Sequence, residues 1–162
     1  MMRPAVFQNL DHDRFMQEAI VCAKQVATRP FGAVIVVAER AEVIARGFNR
    51  TDVSPTFHGE IDVINRCAEN NPNVQWSGLV LYTTAEPCPM CQSAIEWAGI
   101  SMVVFGSSIP FLKSLGWNQI DIRAEEVAKR TLFNKCEILG GVLQKECDAL
   151  FQAASASVVS KK

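Results

Sequence analysis

Segments of helical periodicity alternate along the chain with short, continuous apolar runs. Phe15, Ala19, Cys22, Ala23 and Val26 recur at helical spacing, which predicts a helix over Asp11 to Thr28, capped by Asp11 or Asp13 and ended by Arg29-Pro30. Gly32 to Ala38 is an unbroken apolar, β-branched stretch, the pattern of a central strand covered on both faces. Val43 to Gly47 reads as a second strand, with Glu39-Arg40 in the turn between them, and Thr51 to Thr56 reads as a loop. A helix is predicted from His58 to Glu69, with Ile61, Ile64 and Cys67 or Ala68 on one face, and Asn70-Asn71-Pro72-Asn73 stops it. Leu79 to Thr83 is a strand. Pro89 sits at a first-turn position of a helix that runs to Trp97 and is closed by Gly99. Met102 to Gly106 follows as a strand, then short helices at Phe111 to Leu115 and Ala124 to Arg130, an edge strand at Glu137 to Gly140 and a closing helix at Leu143 to Phe151. Such alternation predicts an α/β three-layer sandwich around a mostly parallel or mixed sheet.

The 162 residues fit one domain, drawn over 1–152, with the Ala- and Ser-rich 153–162 as a flexible C-terminal tail. A net charge of -1 argues against a protein that grips long phosphate backbones. Residues 1–15 contain no apolar core segment and the longest apolar run is too short to cross a bilayer, so a cytoplasmic protein is expected. In that reducing setting the six cysteines are not read as disulfides. Cys22, Cys67, Cys136 and Cys147 read as small buried hydrophobes, whereas Cys88 and Cys91 form a Cys-x-x-Cys pair.

Two short motifs carry the chemistry: His58-Gly59-Glu60 and Pro87-Cys88-Pro89-Met90-Cys91. Cys88 and Cys91 share one face of a helix start, where the helix dipole favours thiolate. His58 supplies a third ligand, since His12, the other histidine, lies in a polar stretch and reads as a solvated surface residue. Three protein ligands leave a tetrahedral zinc one open position, the arrangement of a catalytic site. A structural zinc completed by Cys67 or Cys136, or a redox pair, is the competing reading. Zinc lowers the pKa of a bound water to ~7, and Glu60 is placed to take a proton from it and deliver it to a leaving amine.

This pairing of His-x-Glu with Pro-Cys-x-x-Cys resembles the signature of the cytidine deaminase-like zinc deaminases. Pro30 to Val36 and Glu86 to Cys91 are similar to the guanine deaminases. His58-Gly59-Glu60 and Leu81-Tyr82-Thr83-Thr84 look like the fungal cytosine deaminases. Gly47 to Arg50, and Gly141 to Leu143 through Glu146-Cys147 with Ala149-Leu150, are similar to the bacterial tRNA adenosine deaminases. The likeness spans roughly residues 12–151. It implies a five-stranded mixed sheet, a Zn2+ cofactor held by His58, Cys88 and Cys91, and Glu60 as the catalytic residue. It also implies Asn49 contacting the base through its amide, Phe31 forming a pocket wall, Gly59 and Glu60 turning backbone N–H groups to the base, and a homodimer. Trp97 and Trp117 are candidate pocket or interface aromatics; taken alone, Trp97 reads as core and Trp117 as an exposed or lid residue. Guanine deaminases close their site with a C-terminal aromatic. This chain has none after Phe151, so either Trp117 or another loop closes the pocket, or the substrate differs.

The expected activity is hydrolytic deamination of a purine-type nucleobase, guanine or a related aminopurine. The alternatives are a cytosine or nucleoside deaminase and a tRNA adenosine deaminase; a zinc-stabilised domain without activity ranks below them.

Overall fold

The computed structural model describes residues 5–157. After a short helix α1 (Ala5–Gln8), Asp11 caps α2 (His12–Ala23) by accepting a bond from the Arg14 N–H, and a 3-10 turn, Lys24–Val26, replaces the last α-helical turn expected before Arg29-Pro30. Strands β1 (Gly32–Val37) and β2 (Glu42–Phe48) lead to α3 (Gly59–Asn70). Then come β3 (Leu79–Ala85), α4 (Pro89–Ala98) and β4 (Met102–Ser107). Helices α5 (Ile109–Ser114) and α6 (Ala124–Arg130), strand β5 (Glu137–Gly140) and helix α7 (Gln144–Ser157) complete the order. The end of α4 follows its sequence: Pro89 occupies the first turn and Gly99, at φ 81°, closes the helix in the left-handed region that a residue without Cβ enters at little cost.

The five strands form one mixed sheet in the order β2-β1-β3-β4-β5. β1 pairs antiparallel with β2 and β3, while β3–β4 and β4–β5 are parallel. Side chains alternate across it. Val34, Val36, Val80, Tyr82, Met102 and Val104 pack under α2 with Phe15, Met16, Ala19 and Ile20. Ala33, Ile35, Leu79, Leu81 and Val103 face the other way, onto Val63, Cys67 and Ile95 of α3 and α4. Two helical layers around one sheet give the expected three-layer α/β/α sandwich.

Several expectations need correction. His12 is not a solvated surface residue: its Nδ1 lies 2.8 Å from the hydroxyl of the fully buried Tyr82, which needs a polar partner inside the core. In α3 the buried apolar positions are Val63 and Cys67, while Ile61 and Ile64 are half-buried, because the helix turns Glu60 and Asp62 inward as well. Cys136 is half-buried rather than buried. The boundary drawn at residue 152 falls inside α7, which continues to Ser157 with Ala154 buried; residues 158–162 of the expected tail lie outside the described residues. Trp97 is 77% exposed and stacks on Phe133 with ring centroids 4.5 Å apart, so it is neither core nor pocket wall. Among the described residues no helix is long and apolar enough to cross a membrane.

Candidate metal centre and active site

The site forms where β3 ends, β1 begins and α3 and α4 start. His58 and Cys88 are the N-cap residues of α3 and α4, both with extended backbone, and neither side chain caps its own helix. That position usually holds a Ser, Thr, Asp or Asn bonded back to the helix. Here the side chain is turned away from its helix instead. Cys91 lies one turn into α4 and is fully buried. The His58 Nδ1 stands 3.6 Å from the sulfurs of both Cys88 and Cys91, and the three ligand atoms lie within 4.8 Å of one another. A tetrahedral zinc with bonds of ~2.3 Å to sulfur and ~2.0–2.1 Å to nitrogen separates N from S by about 3.5 Å. The donor set therefore fits zinc in both identity and spacing. Cys67 and Cys136 lie within the apolar layer under α3 and α4, which disposes of the four-ligand reading.

Bonding from Cys91, reinforced by His58 against the opposing effect of burial, draws the Cys88 thiol down to about 4, while Cys91 is pushed well above its ordinary value by the same bond and by burial. The thiolate is the form of cysteine that binds a metal.

Glu60 lies in the first turn of α3, buried, with Oε1 accepting a 2.9 Å bond from the Thr83 hydroxyl. Burial raises its carboxyl above the ordinary range, the Cys88 thiolate adds to the rise, and His58 and Thr83 oppose it. Because His58 is outside the helix, the half-turn separation expected between residues two apart does not hold, and both side chains line the same cavity of about 660 Å³. Phe31, Asn49, Thr51, Cys88 and Trp117 line it too. Gly59 does not. A Cβ there would lie 2.7 Å from the Phe31 carbonyl oxygen, so its lack of a side chain serves the approach of α3 to the strand β1 enters.

Asn49 is buried. Its Oδ1 accepts from the Thr51 N–H at 3.1 Å and the Thr51 hydroxyl at 2.7 Å, and Arg29 donates to that hydroxyl at 3.2 Å. A backbone N–H can only meet an acceptor, so the amide is oriented with oxygen inward and its NH2 as the group left for a ligand. Trp117 is 8% exposed rather than an open lid: it meets Phe31 edge-on at 5.6 Å and Phe151 at 5.9 Å, and Phe31 lies 4.9 Å from Phe151.

Sequence reasoning passed over Thr83, Glu86 and Phe151. Glu86 is buried and accepts from the Ile109 and Ala124 N–H groups and twice from Arg123, tying the loop before Cys88 to α5 and α6. Its place beside Pro87-Cys88 was the available signal. Phe151 was visible only as a closing-helix apolar residue.

A family model for the cytidine and deoxycytidylate deaminase zinc-binding region matches residues 10–107. The chain belongs to this family. It is accordingly a zinc-dependent hydrolase of the deaminase class, acting on an amino-bearing nucleobase or nucleoside. It is 33% identical over 154 residues to a tRNA-specific adenosine deaminase of Bacillus subtilis (strain 168), with 91% of each chain covered. It is also 33% identical to the guanine deaminase of the same organism over 129 residues, covering 72% of this chain and 81% of that one. The fold matches that of the guanine deaminase from Nitrosomonas europaea with a TM-score of 0.78 at 21% identity, over 96% of this chain and 94% of that one.

Proposed function

We propose that the chain hydrolyses the amino group of a free purine-type base, guanine or a related aminopurine, to a carbonyl with release of ammonia. The observation that carries this reading is the wall formed by Phe31 and Trp117 and backed by Phe151, which brings a buried tryptophan against a pocket wide enough for a flat base. Charge supports it. Arg50 is held by Asp62, Arg123 by Glu86 and Lys113 by Asp121, leaving Arg29 as the cation lining the cavity. A polynucleotide partner calls for a broader basic surface.

In this reading the base lies against the aromatic wall, and the Asn49 NH2 donates to a ring nitrogen or carbonyl. Zinc held by His58, Cys88 and Cys91 supplies the Lewis acidity that makes water ionisable near neutral pH. Glu60 would accept the first water proton and pass it to the ring nitrogen, then take the proton of the newly added hydroxyl and deliver it to the departing amine as the carbonyl forms and the C–N bond breaks. Water and the amino-bearing base thus give the carbonyl base and ammonia. We place the protein in the cytoplasm as a homodimer, the latter tested by light scattering.

A second reading, adenosine deamination within tRNA, is favoured by the match to the tRNA-specific enzyme over 91% of both chains. An ammonia-release panel of guanine, 2,6-diaminopurine, adenine, cytosine and their nucleosides, run beside an anticodon stem-loop, separates the two. Turnover of guanine supports the first. Inosine in the stem-loop, without ammonia from any free base, replaces it with the second.

A further inference from the structure

Strand β3 alternates cleanly. Val80 and Tyr82 point to the α2 layer, while Leu79 and Leu81 point to the layer of α3 and α4. Thr83 continues the second series as a hydroxyl in an otherwise apolar row, 1% exposed, in register with Ala33 of β1 and Phe105 of β4. A hydroxyl buried in such a layer costs free energy unless it is bonded. Its partner is Glu60 Oε1 at 2.9 Å, itself on a buried carboxylate.

We propose that Thr83 is the positioning residue of the deamination reaction: its hydroxyl occupies one oxygen of Glu60 and fixes the carboxylate so that the other oxygen faces the cavity. The inference rests on the role of Glu60 proposed above. A carboxylate on a glutamate side chain has three rotatable bonds and must otherwise be ordered anew in each turnover; a donor fixed to the middle of a five-stranded sheet removes that freedom. The sheet is stiff at this point because β3 is paired on both sides. Proton transfer needs heavy atoms within about 2.6–3.2 Å, so a carboxylate that swings loses rate without losing affinity for the base. A valine at this position keeps the β-branched shape and removes only the donor, and the neighbouring Thr84 cannot substitute, since its hydroxyl donates to the Pro30 carbonyl and accepts from Gly32 N–H on the opposite face.

The test compares Thr83→Val and Thr83→Ser with wild type as zinc-loaded enzymes, reading kcat, KM, zinc stoichiometry and melting temperature on whichever substrate the panel identifies. Thr83→Val lowers kcat by roughly tenfold to a hundredfold, the range of a hydrogen bond to a charged group, with KM and zinc content unchanged. Thr83→Ser, which restores the hydroxyl, regains most of kcat. Unchanged kcat in Thr83→Val overturns the inference, as does equal loss in both variants or loss that follows zinc content or melting temperature. Glu60→Gln run alongside separates the layers of the argument. If it retains wild-type kcat, the role of Glu60 itself is wrong; if it is inactive while Thr83→Val is normal, only the positioning inference fails.

Discussion

The metal corner and the aromatic wall of the cavity are built in opposite ways. His58, Cys88 and Cys91 come from the starts of two helices, whose backbones place them, and Glu60 sits in the first turn of α3 with Thr83 of β3 bonded to its carboxylate. Phe31, Trp117 and Phe151 come from three distant stretches of chain and pack on one another within the small cluster that includes Ala85, Leu112, Leu115 and Ala154. The first arrangement is local and rigid, the second long-range and replaceable. Reaction type is therefore written in a few adjacent residues, while the choice of substrate depends on packing that many sequences could supply.

Removing one metal ligand tests the rigid half most severely. Cys91→Ala leaves His58 and Cys88 with an open side in a buried place, and zinc affinity falls by more than the ~10–100-fold that loss of an outer hydrogen-bond partner costs. Metal analysis of the purified variant should find zinc lost and ammonia release at background. Full zinc occupancy would mean that another donor completes the set.

Glu60→Gln comes next in size. Zinc binding survives, because the carboxylate is not among the three ligands, and kcat falls by about 10²–10⁴, the worth of a positioned proton carrier. Paired zinc and rate measurements on one preparation check both halves of that statement.

Much of this rigid half was readable from sequence because its signals are local. Pro89 and Gly99 bracket α4 as helix punctuation should, and the spacing of Cys88 and Cys91 brings both sulfurs to one ion. Strand β1 was visible from its apolar run. What sequence did not show is which polar group meets which across the sheet. His12 and Tyr82, seventy residues apart, form a bond that periodicity cannot report. Periodicity assigns a face, and a face does not name a partner; Thr83 with Glu60 and Asp62 with Phe48, Arg50 and Arg66 were hidden for that reason. The end of α7 was misread because Ala and Ser look like a frayed tail, yet Ala154 is small enough to tuck in beside Phe151. Trp117 sat in an irregular segment whose path no repeat or cap announced.

Trp117→Ala probes the replaceable half. Base–aromatic contact is worth about 1–3 kcal/mol per base, so KM for the free base rises by roughly tenfold to a hundredfold while zinc content stays whole and kcat changes less. Steady-state kinetics on the substrate identified by the panel read the split. A fall in kcat as deep as that of Glu60→Gln, with KM unchanged, would erase the distinction between the two halves.

The smallest effect is expected where an aromatic pair lies outside both. Trp97 stacks on Phe133 at the surface, on the last turn of the same helix whose first turn carries the cysteines. If the helix transmitted disturbance along its length, loss of this ring would reach the metal. The body of α4 is instead fixed between its ends by Ile95, buried in the apolar layer, and by Glu96, whose carboxylate accepts from Gln92 and Asn134. Trp97→Ala therefore costs no more than the ~0.5–1.5 kcal/mol of an exposed aromatic pair and leaves kcat/KM within about twofold of wild type. Urea unfolding and initial rates on one sample measure both. A tenfold loss of kcat/KM at unchanged stability would show that the far end of α4 sets the position of its first turn, and the metal corner would then no longer count as locally built.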